Sequence, residues 1–173
     1  MEDLKQFIRD VPGFPREGIM FHDITPLLQS GKAFSMAIDA MAVDIEDKNP
    51  QVLVGVEARG FIFASALAYK LGLGLGIVRK LGKLPYIKVN TSYDLEYGSD
   101  TLEIHSDTFN HGRRIALVDD LLATGGTAAA TGELVKKLNV EIVGYSFLIE
   151  LTELKGREKL SPYPVWSLLK YPL

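Results

Sequence analysis

IALVDDLLATGGTAAATGELV, residues 115–135, begins as a strand and ends as a helix. Residues 115–118 are a short, unbroken apolar run, the pattern of a strand buried on both faces of a parallel sheet. From 127 to 138 the apolar residues return at helical spacing. Between the two stand Asp119 and Asp120, followed by Ala123-Thr124-Gly125-Gly126-Thr127. Adjacent carboxylates repel each other, and a Gly-Gly pair costs backbone entropy. Something at this turn is expected to offset both costs.

The same strand-then-helix grammar runs outward from this stretch. Residues 52–56, V-L-V-G-V, form another continuous apolar run, followed by Glu57-Ala58-Arg59-Gly60 and a helix over 61–71 that Gly72 closes. Further strands are predicted at 75–78, 142–149 and 165–169. Alternation of this kind implies right-handed crossovers and an α/β fold: a mostly parallel, twisted sheet flanked by helices. Ligands of such sheets bind beyond the carboxyl ends of the strands. The segments 57–60 and 119–127 both follow strands, so topology places them at one edge.

Two regions fall outside the alternation. Leu4, Phe7 and Ile8 share a helical face, and Pro12-Gly13 is expected to end that helix. Residues 14–28, with two prolines and a glycine, read as irregular but ordered, ahead of an amphipathic helix over 32–47. Residues 79–100 are long, polar and rich in Lys, Tyr and Gly, which marks a lid or a disordered loop. Residues 101–105 alternate as a strand and are expected to pair with part of 84–90, making a β-arm that folds over the site. The expectation is a single domain over 1–173, with a hood at 1–30 and a flexible catalytic arm at 79–105.

Composition bounds the chemistry. Of 173 residues, 47% are hydrophobic and 24% charged, ordinary for a globular protein that buries a core without staples. Cysteine is absent, which excludes disulfides, thiolate metal sites and a cysteine nucleophile. His22, His105 and His111 lack metal-ligand spacing. A net charge of −3 argues against a nucleic-acid surface. No run approaches the ~18 apolar residues of a membrane span, and the N-terminus has no signal-type stretch. A cytoplasmic protein is the expectation.

Strand, small-residue loop and helix N-terminus together form an anion site, because unpaired amides point outward and the helix dipole favours negative charge. Gly125 and Gly126 admit a ligand close to the backbone, and Thr124 and Thr127 add hydroxyls. The turn alone is equally compatible with a plain connection capped by Thr127. It is neither G-x-x-x-x-G-K-[ST] nor G-x-G-x-x-G. The acids shift the balance, since carboxylates one sugar's length from a phosphate accept hydrogen bonds from vicinal hydroxyls. Two solvated turn acids would leave the apolar lead-in unexplained. A ribose 5-phosphate accounts for acids, glycines and threonines together.

IALVDDLLATGGTA resembles the phosphoribosyl pyrophosphate motif of type I phosphoribosyltransferases. FPREGIMFHDITPLL, GVEARGFIFASALA, RKLGKLP, SYDLEYG and IELTELKGREKL resemble, in order and spacing, segments of the adenine phosphoribosyltransferases, and the likeness spans nearly the whole chain. It implies transfer of a phosphoribosyl group from phosphoribosyl pyrophosphate to adenine, giving AMP and pyrophosphate, with Mg2+ held mainly by substrate and with Asp119 and Asp120 as available ligands. Carried over, Ala123, Thr124, Gly125, Gly126 and Thr127 hold the 5-phosphate, while Asp119 and Asp120 face the ribose. Ala58, Arg59, Arg79, Lys80 and Lys83 attend the pyrophosphate, with Arg59 also counted as catalytic and a cis peptide at Ala58-Arg59. Without the likeness, the three cations of 79–83 read as an ordinary solvated turn.

Glu96 and Tyr97 match the mobile catalytic loop, with Glu96 exchanging a proton at adenine N7; by itself Glu96 reads as a surface acid. Met20, Phe21, His22 and Leu121 match the adenine slot, Phe21 as its stacking face. His22 stands where the family often carries Arg, and it cannot make the same forked contacts. Homodimerisation is implied as well, with a basic loop residue lent to the neighbour. Two alternatives stand beside this reading: a phosphoribosyltransferase for guanine, hypoxanthine, xanthine or orotate, and a non-catalytic ligand sensor of the same fold that regulates nucleic acids.

Overall fold

The structure is a computed structural model and describes residues 2–94 and 99–172. Its centre is β3 (Val52–Val56), flanked on one side by β4 (Gly74–Lys80) and on the other by β7 (Arg114–Leu122), both parallel to it. β8 (Glu141–Leu151) and β9 (Val165–Tyr171) continue the parallel run beyond β7. Beyond β4 the sheet turns antiparallel through β6 (Ser99–His105) and β5 (Lys88–Asp94), giving the order β5-β6-β4-β3-β7-β8-β9.

Alternation along the strands divides the core into two layers. Leu53, Ala116 and Val118 face the helices α2 (Thr25–Gln29), α3 (Gly31–Glu46) and α4 (Gly60–Leu71), packing with Leu27, Met41, Ile45, Phe63 and Leu67. Val54, Ile115 and Leu117 face α5 (Gly126–Lys136), packing with Leu134 and Val135. Each such fully buried aliphatic or aromatic side chain stabilises the fold by about 1.5–3 kcal/mol. α4 ends where expected: Gly72 adopts φ 66°, a left-handed cap that its missing Cβ permits. Among the described residues no helix is long and apolar enough to cross a membrane.

The predicted α/β sheet with helices on both faces is the observed one, and its two flanking structures differ in detail from expectation. The N-terminal helix α1 spans only Glu2–Lys5, not a run to Pro12-Gly13. The chain then forms β1 (Arg9–Pro12), which pairs antiparallel with β2 (Met20–Asp23) in a separate two-stranded hood. The ladder, reinforced by Arg9 beside Asp23 at 3.4 Å, outweighs the helical spacing of Phe7 and Ile8.

The arm is a hairpin in which 101–105 pairs with 88–90, part of the expected 84–90, and the ladder runs on to 94, from Lys88↔His105 to Asp94↔Ser99. Residues 84–87 are drawn off because the Leu84 amide donates to the buried Glu103 carboxylate at 2.7 Å and Lys88 Nζ stands 3.1 Å from the same group. The arm lies against α5, where Lys137 Nζ donates to the Asn90 carbonyl at 2.6 Å.

Candidate active site

β7 carries its ladder through Leu122, so Asp119 and Asp120 are strand residues at its carboxyl end. The loop that follows enters α5 with Gly125 as N-cap at φ 77°, and no side chain caps the helix. Thr127 is therefore not the cap, and its hydroxyl lies 3.2 Å from the Tyr93 hydroxyl. The first-turn amides of α5 and the positive end of its dipole thus face a cavity of about 550 Å³. Asp119, Asp120, Leu121 and all of 123–127 line it, together with Ala58, Arg59 and Lys80. The segments at 57–60 and 119–127 do share one edge.

The Asp120 amide donates to Asp119 Oδ1 at 2.9 Å. Burial pushes the Asp119 carboxyl well above the usual range, and the neighbouring Asp120 charge pushes it further. Burial also raises Asp120, against the pull of Arg59. Arg59 Nη2 stands 2.8 Å from Asp120 Oδ2, an ion pair off the line of a hydrogen bond, so that buried oxygen makes no hydrogen bond. On its other side Arg59 covers the Phe21 ring at 5.3 Å. Gly60 makes the crowding possible, since a Cβ there would lie 2.6 Å from Asp119 Oδ1.

At the far wall Glu57 organises the cations. It accepts from the Lys80 amide at 3.0 Å and from Arg79 Nε at 3.2 Å, and these bonds hold its carboxyl below the usual range. Arg79 also donates to the Lys83 carbonyl at 3.1 Å, and it is absent from the cavity wall, as is Lys83. Lys80 reaches the cavity and pairs with Asp100 at 3.0 Å, a contact that raises its pKa. Glu57, Tyr93 and Asp100 line the cavity as well: Glu57 lies in the segment 57–60 expected at this edge and the other two in the expected arm, though sequence reasoning gives none of them a role. Glu57 follows an apolar strand as Asp119 does, and that position was the available signal. The cis peptide is Glu57-Ala58, one residue ahead of the expected Ala58-Arg59.

The hood approaches from the Arg59 side. Phe21 packs edge-on against Phe14 at 5.1 Å, and Met20 is exposed. His22 turns away: its Nδ1 lies 2.7 Å from Asp10 Oδ1 and its ring 4.2 Å from that of Tyr171. None of the three lines the cavity, because Arg59 lies between Phe21 and Asp120. Glu96 and Tyr97 fall outside the described residues.

Among the described residues no group of three or more His, Cys, Asp or Glu could hold a metal ion. The protein offers the Asp119–Asp120 pair, with one Asp120 oxygen that makes no hydrogen bond and is covered by Arg59. That set fits a hard cation whose remaining ligands come from phosphate oxygens and water.

A family model described as a phosphoribosyl transferase domain matches residues 27–170. The adenine phosphoribosyltransferase of Syntrophotalea carbinolica is 56% identical over 171 residues, covering 99% of this chain and 100% of that protein. The crystal structure of adenine phosphoribosyltransferase from Thermoanaerobacter pseudethanolicus superposes with a TM-score of 0.94 at 47% identity, covering 98% of this chain and 99% of its own. The Saccharomyces cerevisiae enzyme, solved with an imino-altritol 1,6-bisphosphate and adenine, gives 0.92 at 42% identity, with 97% of each chain covered.

Proposed function

This chain belongs to the phosphoribosyl transferase family, and from that premise we propose how its own residues carry the reaction. It is an enzyme that transfers the phosphoribosyl group of phosphoribosyl pyrophosphate to adenine, releasing AMP and pyrophosphate. The observation that carries the proposed site is the meeting of three features in one cavity: uncapped α5 amides, a buried acid pair, and Arg59 with Lys80.

In this reading the amides and hydroxyls of 123–127 bind the 5-phosphate, and Asp119 and Asp120 accept hydrogen bonds from the ribose hydroxyls. The bond from C1 to the diphosphate oxygen breaks as adenine N9 bonds to C1. Positive charge grows on the ribose meanwhile, and fixed carboxylates stabilise it more in the transition state than before it. Arg59 leaves Asp120 for the departing diphosphate, joined by Lys80, while Arg79 and Lys83 add charge from the arm's base, positioned by Glu57. Mg2+, when bound, would offset the charge of the diphosphate, held by substrate oxygens with Asp119 and Asp120 at hand. Glu96 exchanges the proton at adenine N7, with Tyr97 in the same loop.

Phe21 stacks on adenine, Leu121 closes the opposite side, and Met20 and His22 contribute backbone edges; the support is that Phe21 points at Arg59 while the His22 ring is held by Asp10 and Tyr171. A homodimer belongs to this reading. Its support is the exposure of large apolar residues on α4, β4 and the arm's base: Tyr69, Leu75, Ile77, Leu81, Tyr86 and Ile87. A cytoplasmic setting goes with substrates that are phosphate esters, whose charge keeps them from crossing membranes unaided.

The test is product formation from phosphoribosyl pyrophosphate, Mg2+ and a panel of bases. Adenine alone is expected to give its nucleotide efficiently. Preference for guanine, hypoxanthine, xanthine or orotate would overturn the slot at 20–22 and 121, and nucleic-acid binding without turnover would support the sensor instead.

A further inference from the structure

Behind the loop 123–127 runs a short 3-10 turn, Gly156–Leu160, that takes no part in lining the cavity. Gly156 is buried against the back of the loop. A methyl group on it would overlap the Ala123 carbonyl oxygen and come within 2.9 Å of the Gly125 nitrogen and 3.0 Å of Leu122 Cδ1. Seen from the loop, a methyl on Gly125 would lie 3.0 Å from the Gly156 carbonyl carbon and 3.2 Å from its Cα. Two backbones therefore touch without any side chain between them. Their contact lies immediately behind the amides that the cavity exposes.

A buried carboxylate holds Gly156 in place. The next residue, Arg157, forks onto Glu150, with Nε to Oε1 at 2.7 Å and Nη2 to Oε2 at 2.6 Å. The Ser167 hydroxyl donates to the same Oε2. Only 3% of the Glu150 side chain is exposed, against 42% of Arg157. A carboxylate so buried needs this paired, hydrogen-bonded geometry to remain charged. Arg157 is the main reason its carboxyl stays below the usual range, against the push of burial.

Glu150 also sits beside Leu122, the last residue of the strand that feeds the loop, and beside Lys170 of β9. One side chain thereby ties together β8, β9 and the turn that backs the loop.

We propose that Glu150, Arg157 and Gly156 are positioning residues for the phosphate end of the substrate. They set the depth of the loop 123–127 from behind, and through it the aim of its amides. The proposal rests on the assignment of that loop to the 5-phosphate. It also restricts the effect: the cations assigned to the diphosphate, Arg59, Arg79 and Lys80, stand at the start of α4 and on β4, away from this contact, and should not respond. A merely structural ion pair would act on both ends of the substrate alike.

The test uses the full-length protein and two variants, Gly156→Ala and Arg157→Lys. The first pushes the loop forward. The second keeps a charge beside Glu150, so folding is retained, while losing the fork. Ribose 5-phosphate and Mg2+–pyrophosphate are titrated separately, and KM for each substrate is measured beside kcat. Gly156→Ala is expected to weaken ribose 5-phosphate by about 10-fold or more, and Arg157→Lys by about 3-fold or more. Pyrophosphate affinity should stay within about twofold, and KM for phosphoribosyl pyrophosphate should rise more than kcat falls. Unchanged ribose 5-phosphate binding in either folded variant would overturn the proposal, as would equal weakening of both ligands. Should Gly156→Ala not fold, Arg157→Lys decides by the same criteria. If the unsubstituted protein itself fails to bind ribose 5-phosphate, the loop assignment falls and this proposal falls with it.

Discussion

Substituting Gly60 by alanine is the sharpest mechanical test of the acid pair. The new Cβ would stand 2.6 Å from Asp119 Oδ1, 3.1 Å from the Val118 carbonyl oxygen and 3.2 Å from Asp119 Cα. Comfortable contact begins near 3.5 Å, so the first turn of α4 and the tip of β7 must part by about 0.9 Å. Neither side yields cheaply. Asp119 Oδ1 is engaged by the Asp120 amide at 2.9 Å, and the other two atoms are backbone. Overpacking of this kind costs about 1–3 kcal/mol, and alanine returns up to about 1 kcal/mol through helix propensity. The net loss of roughly 0–3 kcal/mol lowers Tm by at most about 12 °C for a chain of this length. Catalysis should suffer more, because Arg59 moves with Gly60 and a displacement near 1 Å costs on the order of 100-fold in rate. The assay is kcat for AMP formation at saturating substrates, read beside a thermal melt. A kcat within a few-fold of the unsubstituted enzyme, with Tm unchanged, would show that Gly60 does not set the spacing, and the reasoning would be wrong.

Asp120→Asn is expected to lower kcat by at least 100-fold if the carboxylate stabilises the charged ribose. Its Tm should hold or rise, because burial already disfavours the charged form there; undiminished turnover contradicts the assignment. Glu96→Gln should slow single-turnover AMP formation, whereas a change confined to KM would remove Glu96 from proton exchange. Glu103→Gln should cost about 1–3 kcal/mol, since a charge-assisted bond to the Leu84 amide becomes a neutral one. Burial pushes the Glu103 carboxyl up, but the Leu84 amide and Lys88 pull it down further, so its folded pKa is depressed. A depressed carboxylate contributes stability that is present above the ordinary Glu range of about 4.3 and is lost as pH falls below it. Urea titrations from pH 7 to 3 should therefore show the variant's deficit shrinking with acid, and a deficit constant with pH would refute the charge-based account.

Local patterns carried the sheet and the loop. Residues 52–56 and 115–118 read as buried strands because nothing polar interrupts them, and Gly72 reads as a helix-ending cap before any coordinates; the positive φ of Gly125 comes from the structure alone. Partnerships across the fold were illegible. Glu57 meets Arg79 across 22 positions, and Lys80 meets Asp100 across an antiparallel arm whose register depends on the buried Glu103. The N-terminal stripe of Leu4, Phe7 and Ile8 looked helical because spacing is local, whereas the hood ladder from Arg9↔Asp23 to Pro12↔Met20 is not. Similarly, Thr127 fits a cap by composition, yet the chain enters α5 two residues earlier at Gly125 and leaves that hydroxyl to Tyr93.

A crystal structure with AMP tests the account at its centre. The account predicts the phosphate against the amides of 124–127, the ribose hydroxyls within hydrogen-bonding reach of Asp119 and Asp120, and the base against Phe21 with Arg59 moved aside. A nucleotide lodged elsewhere, or one whose ribose avoids both aspartates, would contradict it.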